Sequence, residues 1–301
     1  MQNQATISRE VSTSGVGLHS GAPVRLTLRG AAAGAGIQFR RSDLEGFIVE
    51  ASAANIAQVS YATSLMKKGV FISTTEHVLS ALIGLGIDNV IVEIDNLEVP
   101  ILDGSGLPFV EMIERARPRA QRRRRWAMRI LQPLELREGS KFIGVYPARG
   151  YRLAYSINFP HPAIGRQTFE LELTPARYRQ ELAPARTFGF LKDVEAMRRQ
   201  GLIRGGSTEN AVVLDESRVV NGPLRFADEF VRHKMLDLIG DLALLGYPLE
   251  GFVRADRAGH ALHTALVKRL LRERELWELV SLEEPEAATT RATARAALSV
   301  Y

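Results

Sequence analysis

The stretch RHKMLDLIGDL, residues 232–242, constrains the fold of this chain more than any other. Met235, Leu236, Leu238 and Ile239 mark it as an apolar helix, yet His233, Asp237 and Asp241 follow one another at four-residue steps. On a helix such positions lie one above the other, so the three polar groups form one stripe. His233 and Asp237 could close on a single ion from that face, which is half of a metal site. On spacing alone a plainer reading stands ahead of it: solvated aspartates beside a histidine at the edge of an apolar face.

The chain has no cysteine, which excludes disulfides and thiolate metal sites, so any metal must be held by imidazole and carboxylate. A catalytic zinc commonly takes three protein ligands and keeps one position open, which turns the search to the six histidines. His77 is the best third ligand, lying in an apolar helical segment directly after Glu76. A glutamate beside a metal-bound histidine can act as a general base toward water. The competing use of Glu76 is structural, because Ser73-Thr74-Thr75-Glu76 fits a capping box, and by sequence alone that use is preferred. Ala81 stands four residues after His77, so this is not the HExxH spacing. His260, preceded by Gly259, could donate a proton to a leaving amine or stabilise an oxyanion, with Asp241 keeping it protonated. His263 is expected to cap a helix or face solvent, and His161, between two prolines, to be structural.

The 301 residues, 46% of them apolar, suffice for one large domain or two ordinary ones. No apolar run approaches the roughly 20 residues of a membrane span, and the N-terminus lacks a signal-peptide pattern, so a cytoplasmic location is expected. A net charge of +5 suits an anionic partner without choosing one. Arg122 to Arg125, with Arg115, Arg117 and Arg119 before them, are expected to form a solvated linker rather than a nucleic-acid or lipid patch, since no aromatic residues are interleaved.

Patterning divides the chain at 120–127. Before it, short alternating strands such as Val24 to Leu28 and Val90 to Ile94 accompany a helix from about Ser73 to Gly84 or Gly86 and another over 109–117. After it come strands Met128 to Leu136, Lys141 to Tyr146, Arg152 to Phe159 and Gln167 to Leu173, helices near 191–200 and 227–245, and a last helix from His260 to about Leu276. The expectation is an α+β protein with two similar domains, 1–125 and 126–280, and a disordered tail over 281–301.

Several stretches together resemble one family, the zinc-dependent deacetylases that act on UDP-3-O-acyl-N-acetylglucosamine in lipid A biosynthesis. They are GVGLHSG (15–21), ISTTEHVLSALIGLGIDNV (72–90), VPILDGSGLPFV (99–110), HPAIGRQTF (161–169), ARTFGF (185–190), GLIRGGSTENAVVLD (201–215), LRFADEFVRHKMLDLIGDL (224–242) and GHAL (259–262), in the family's order. The resemblance implies two α+β domains, each an antiparallel sheet on helices, with the helices meeting at an interdomain active site. It implies one Zn2+ per chain on His77, His233 and Asp237, a donor set that Fe2+ or cobalt would also suit. Glu76 is then the base that activates water, and His260 the cation that stabilises the oxyanion and protonates the amine. Asp241 orients His260, and Thr187 bonds the oxyanion. Lys234, Phe188, Phe190 and His19 are implied at the substrate, His19 with no assigned role. An insert at 51–70 is implied at the rim of the site, and one near 157–171 beside a passage for the acyl chain. The departures are Ser20, where threonine is the expectation, and a tail running past the usual end.

The implied reaction yields acetate and UDP-3-O-acyl-glucosamine, an early committed step toward lipopolysaccharide. The expected partner is the acylated UDP-sugar alone, with no nucleic acid and no membrane insertion, and the chain acts as a monomer. Rival readings are an amidohydrolase for another acylated sugar nucleotide, a nucleic-acid binder using the arginines, and an inactive structural homologue.

Overall fold

The computed structural model describes residues 2–57 and 59–282. The first half runs β1 (Asn3–Ile7), β2 (Val11–Val16), β3 (Pro23–Gly30), β4 (Ile37–Arg41), β5 (Phe47–Glu50), β6 (Leu65–Lys67), β7 (Val70–Ile72), α1 (Glu76–Gly84), β8 (Val90–Ile94), α2 (Leu107–Arg115) and β9 (Pro118–Arg124). The second runs β10 (Trp126–Ile130), β11 (Leu134–Glu138), β12 (Lys141–Tyr146), β13 (Tyr151–Phe159), β14 (Gly165–Glu172), α3 (Pro175–Arg177), β15 (Phe188–Phe190), α4 (Leu191–Arg199), β16 (Val212–Leu214), α5 (Glu229–Leu242), β17 (Leu249–Asp256), α6 (His260–Arg272) and β18 (Trp277–Ser281).

Each half carries one main sheet. In the first the order is β2-β3-β8-β4-β5; in the second, β11-β12-β17-β10-β18, with β13 joined to β17 and β14 to β13. Alternation explains the inner faces: Val24, Leu26 and Leu28 of β3 and Val90, Val92 and Ile94 of β8 are all buried. Neither sheet is wholly antiparallel. β4 runs parallel to β8, and β17 runs parallel to both β13 and β10. A parallel neighbour needs a crossover, and here the β4–β8 and β13–β17 crossovers carry α1 and α5.

Both of those helices are buried around most of their circumference, as befits helices covered from more than one side. They pack on each other across the halves, and α5 also lies on β13, β14 and α6. Gly240 makes the approach possible, since a Cβ there would stand 2.1 Å from the Glu76 carbonyl oxygen.

Several boundaries differ from the sequence expectation. The segment 128–136 is two strands, because Pro133 has no N–H to give a ladder. The helix expected over 227–245 is regular from Glu229 to Leu242 and tightens to a 3₁₀ turn at Ala243–Leu245, and α6 ends at Arg272 before another such turn. The arginine run is not a linker: 118–124 is a strand paired with β1, its arginines exposed. Ser281 closes β18 opposite Trp126, and the rest of the expected disordered tail, from 283, lies outside the described residues. Among the described residues no helix is long and apolar enough to cross a membrane.

Candidate functional site

The site forms where the first turn of α1 meets the middle of α5 and the start of α6. Glu76 and His77 open α1, and the turn leading into them is strained: Thr74 sits at φ +58°, a left-handed conformation that non-glycine residues rarely adopt. Buried Glu98 holds that turn, accepting hydrogen bonds from the Thr74 hydroxyl (2.8 Å) and from the His19 (2.9 Å) and Ser20 (2.8 Å) amides. One carboxylate thereby ties the GLHSG loop to the start of α1.

The capping box is not formed. Thr75 is the N-cap and makes no side-chain cap, and the Glu76 carboxylate instead accepts from the Thr63 amide at 3.1 Å. Burial raises the Glu76 carboxyl above its ordinary value, against the pull of His260 and His77.

His77, His233 and Asp237 converge, all buried, with their candidate ligand atoms within 4.8 Å of one another. Asp237 Oδ1 lies 3.3 Å from His233 Nε2 and 3.6 Å from His77 Nε2. His233 donates from Nδ1 to the Ala185 carbonyl (3.0 Å), which leaves the Nε2 lone pair aimed at Asp237. Burial holds His233 down to about 4, so its imidazole is neutral. Burial favours the neutral acid of Asp237, but Lys234 and His233 hold it well below the usual carboxylate range. The second oxygen of Asp237 accepts from Lys234 Nζ at 2.6 Å. Two imidazole nitrogens and a carboxylate oxygen, buried and gathered within 4.8 Å of one another, are the donor set a divalent cation takes.

A second cluster, Asp241, His260 and His263, is equally compact but already satisfied. Both imidazoles contact Asp241 Oδ2 through Nδ1 at 2.8 Å, and the Thr63 hydroxyl donates to Oδ1. Burial works against charge on His260, but Asp241, with Glu76 and Asp237 beyond it, pushes His260 up to about 9. A protonated imidazole repels a metal and is ready to act as an acid. Its Nε2 lies 4.0 Å from Glu76 Oε1.

Between these groups opens a cleft of about 480 Å³. Its polar end presents Glu76, His77, His233, Lys234, Asp237, His260, His19 and Thr187. Its apolar wall comes from Phe188 and Phe190 of β15, from Leu191, Val194 and Met197 of α4, and from Ile203 and Val213. The 157–171 segment, expected beside an acyl passage, does not line this cleft; Phe159 and His161 stack behind Phe190 with ring centroids 6.0 and 5.5 Å away. From the 51–70 segment, Tyr61 reaches the wall.

Of the residues expected at the site from sequence, Asp241 alone is absent from the cleft wall, standing behind His260. Both ring nitrogens of His19 are buried without a hydrogen-bond partner, and burial keeps this imidazole neutral against the influence of Glu98. His263 corrects an expectation: it neither caps nor meets solvent but is fully buried between Asp241 and the Tyr155 hydroxyl. Its distance from Asp241 in the chain and its place three residues after His260 hide this, because only the packing of α6 on α5 joins them. Nothing in the sequence marks Thr63, Glu98 or the pair that Arg186 makes with buried Glu229. Glu229, first residue of α5, accepts from the amides of Arg186 (2.9 Å) and Arg225 (2.6 Å), fixing the segment that carries Thr187.

The family model described as UDP-3-O-acyl N-acetylglycosamine deacetylase matches residues 4–272. A curated relative from Solibacter usitatus (strain Ellin6076), a UDP-3-O-acyl-N-acetylglucosamine deacetylase, is 50% identical over 293 residues, 97% of this chain and 99% of the relative. The match extends over both halves, and the chain therefore belongs to the UDP-3-O-acyl N-acetylglycosamine deacetylase family.

Proposed function

We propose that the chain hydrolyses the N-acetyl group of UDP-3-O-acyl-N-acetylglucosamine, releasing acetate and UDP-3-O-acyl-glucosamine for lipid A biosynthesis, as a monomer with one Zn2+ held by His77, His233 and Asp237. The activity and the pathway come with the family. The metal and the residue roles are inferred from the cleft, and one observation carries them: two imidazoles and a carboxylate in a metal-type donor set beside a buried carboxylate and a charged imidazole, all facing one cavity.

An acetamide is a weak electrophile with a poor leaving group, so its hydrolysis needs a Lewis acid, a base and an acid. A divalent ion held by His77, His233 and Asp237 would supply Lewis acidity toward the carbonyl and toward the attacking water. Glu76, its basicity raised by burial, takes the proton from water as the oxygen attacks the carbonyl carbon. The Thr187 hydroxyl donates to the oxyanion that develops, and the His260 cation stabilises the same charge. As the C–N bond breaks, His260 passes its Nε2 proton to the departing amine, while Asp241 holds Nδ1. Lys234, whose charge is secured by Asp237 although burial disfavours it, attracts the anionic substrate. Phe188, Phe190 and the α4 wall take the acyl chain, and His19 closes the other side of the cleft.

The deciding experiment measures acetate release from UDP-3-O-acyl-N-acetylglucosamine by chelator-stripped protein before and after one equivalent of zinc. Activity that vanishes and returns is the expected result. A folded, zinc-restored protein that releases no acetate overturns the substrate assignment, and a panel of other acylated sugar nucleotides then tests the rival specificity.

A further inference from the structure

We infer that His263, together with Tyr155, is a positioning residue for the proposed acid, keeping the Asp241 carboxylate solvated by hydrogen bonds when His260 gives up its proton. The inference rests on the role of His260 proposed above. Asp241 and His263 are both 0% exposed, so no water is at hand to take over a missing hydrogen bond. An ionised carboxylate buried without partners is costly, and its neighbours decide whether a charge change beside it is tolerated.

Proton accounting defines the state. Asp241, held below the usual carboxylate range by His260 and His263 despite its burial, is ionised and can only accept. Nδ1 of both imidazoles, each 2.8 Å from Oδ2, must therefore carry a proton. Burial keeps His263 neutral against Asp241, so its Nε2 is an acceptor, 3.0 Å from the Tyr155 hydroxyl. That hydroxyl also lies 2.8 Å from the Ala258 carbonyl, and its single proton serves the two acceptors in turn. The charged groups reaching His263 are Asp241 and Lys234 of α5 and His260 of α6; β13 contributes Tyr155.

Before proton transfer, Asp241 faces a cationic His260. Afterwards it faces a neutral one, and the loss of attraction is borne by the donors that remain: Nδ1–H of His260, the Thr63 hydroxyl and Nδ1–H of His263. Without His263 one of three donors is gone from a buried anion, the neutral state of His260 is disfavoured, and release of its proton slows.

Two variants of similar shape separate this role from mere packing. Leucine puts a methyl where Nδ1 was, and asparagine puts an N–H there. H263L is expected to lower kcat roughly tenfold or more, with KM little changed, and to move the alkaline limb of the pH–rate profile upward. H263N is expected to restore most of kcat and return the limb. Long-range ¹H–¹⁵N spectra of the zinc-loaded wild type should show neutral His263 as the Nδ1–H tautomer, a reading independent of turnover. An Nε2–H tautomer overturns the inference, as does an H263L profile that keeps the wild-type limb. If H263L does not fold, the tautomer and the Y155F profile decide: Y155F, by freeing Nε2, should shift the limb in a smaller but measurable way, and either an unmoved Y155F limb or an Nε2–H tautomer refutes the role. A wild type that releases no acetate speaks against the deacetylase reading; an active wild type with an indifferent His263 speaks against this one alone.

Discussion

At the scale of single residues, the cleft is organised by what burial does to charge. Glu76 and His260 stand 4.0 Å apart, the first made a stronger base by burial and the second kept a cation by Asp241 in spite of it. Their required states fix the signs of the pH profile. Activity should be lost as pH falls through the raised Glu76 value, where the base is protonated, and lost again as pH rises through about 9, where His260 gives up its proton. Replacing Asp241 by asparagine removes the charge that lifts His260, so the alkaline limb should fall toward the ordinary histidine value of 6.5. A D241N profile with its limb still near 9 would contradict that coupling. Replacing Glu76 by glutamine should cost roughly 100- to 10,000-fold in kcat while leaving bound zinc per chain unchanged, as metal analysis would check.

Among elements, the contact between α1 and α5 decides whether the three proposed ligands meet. Gly240 lets the α5 backbone approach the Glu76 carbonyl, and no side chain fits in the gap. Changing it to alanine should push the helices apart, costing roughly 1–3 kcal/mol of stability in denaturant titrations and weakening zinc retention along with it. Unchanged zinc affinity in a destabilised G240A protein would mean that the ligands tolerate the displacement. The strained Thr74 turn tells the same story from the other end, because Glu98 spends three hydrogen bonds on holding it and the neighbouring loop. Of the elements, α1 and α5 were legible as helices from their apolar patterning, α1 also from a glycine stop, whereas the use of Glu76 was not. A capping box and a catalytic carboxylate share one local pattern, and what separates them is Thr63, brought in from outside the helix.

In the molecule as a whole, the proposed metal joins the halves, with His77 from the first and His233 and Asp237 from the second. An ion that binds only the assembled site stabilises the fold by mass action, about 4 kcal/mol at a thousandfold excess over Kd. Chelation should therefore lower the melting temperature of the whole protein and zinc should restore it, while His77→Ala should melt low and ignore added zinc. A wild-type melting temperature indifferent to chelator would refute a site shared between the halves. Several properties were settled by the sequence alone: the α+β class, the paired halves, the cysteine-free donor chemistry and the stripe on α5. These depend on periodicity and residue type, which are local. His263 against Asp241, Thr63 against Glu76, α4 rather than 157–171 along the apolar wall, and parallel strands within each sheet were decided by tertiary structure. Each depends on which distant segment packs opposite, and that choice is made by burial across the whole core rather than by any pattern within one segment.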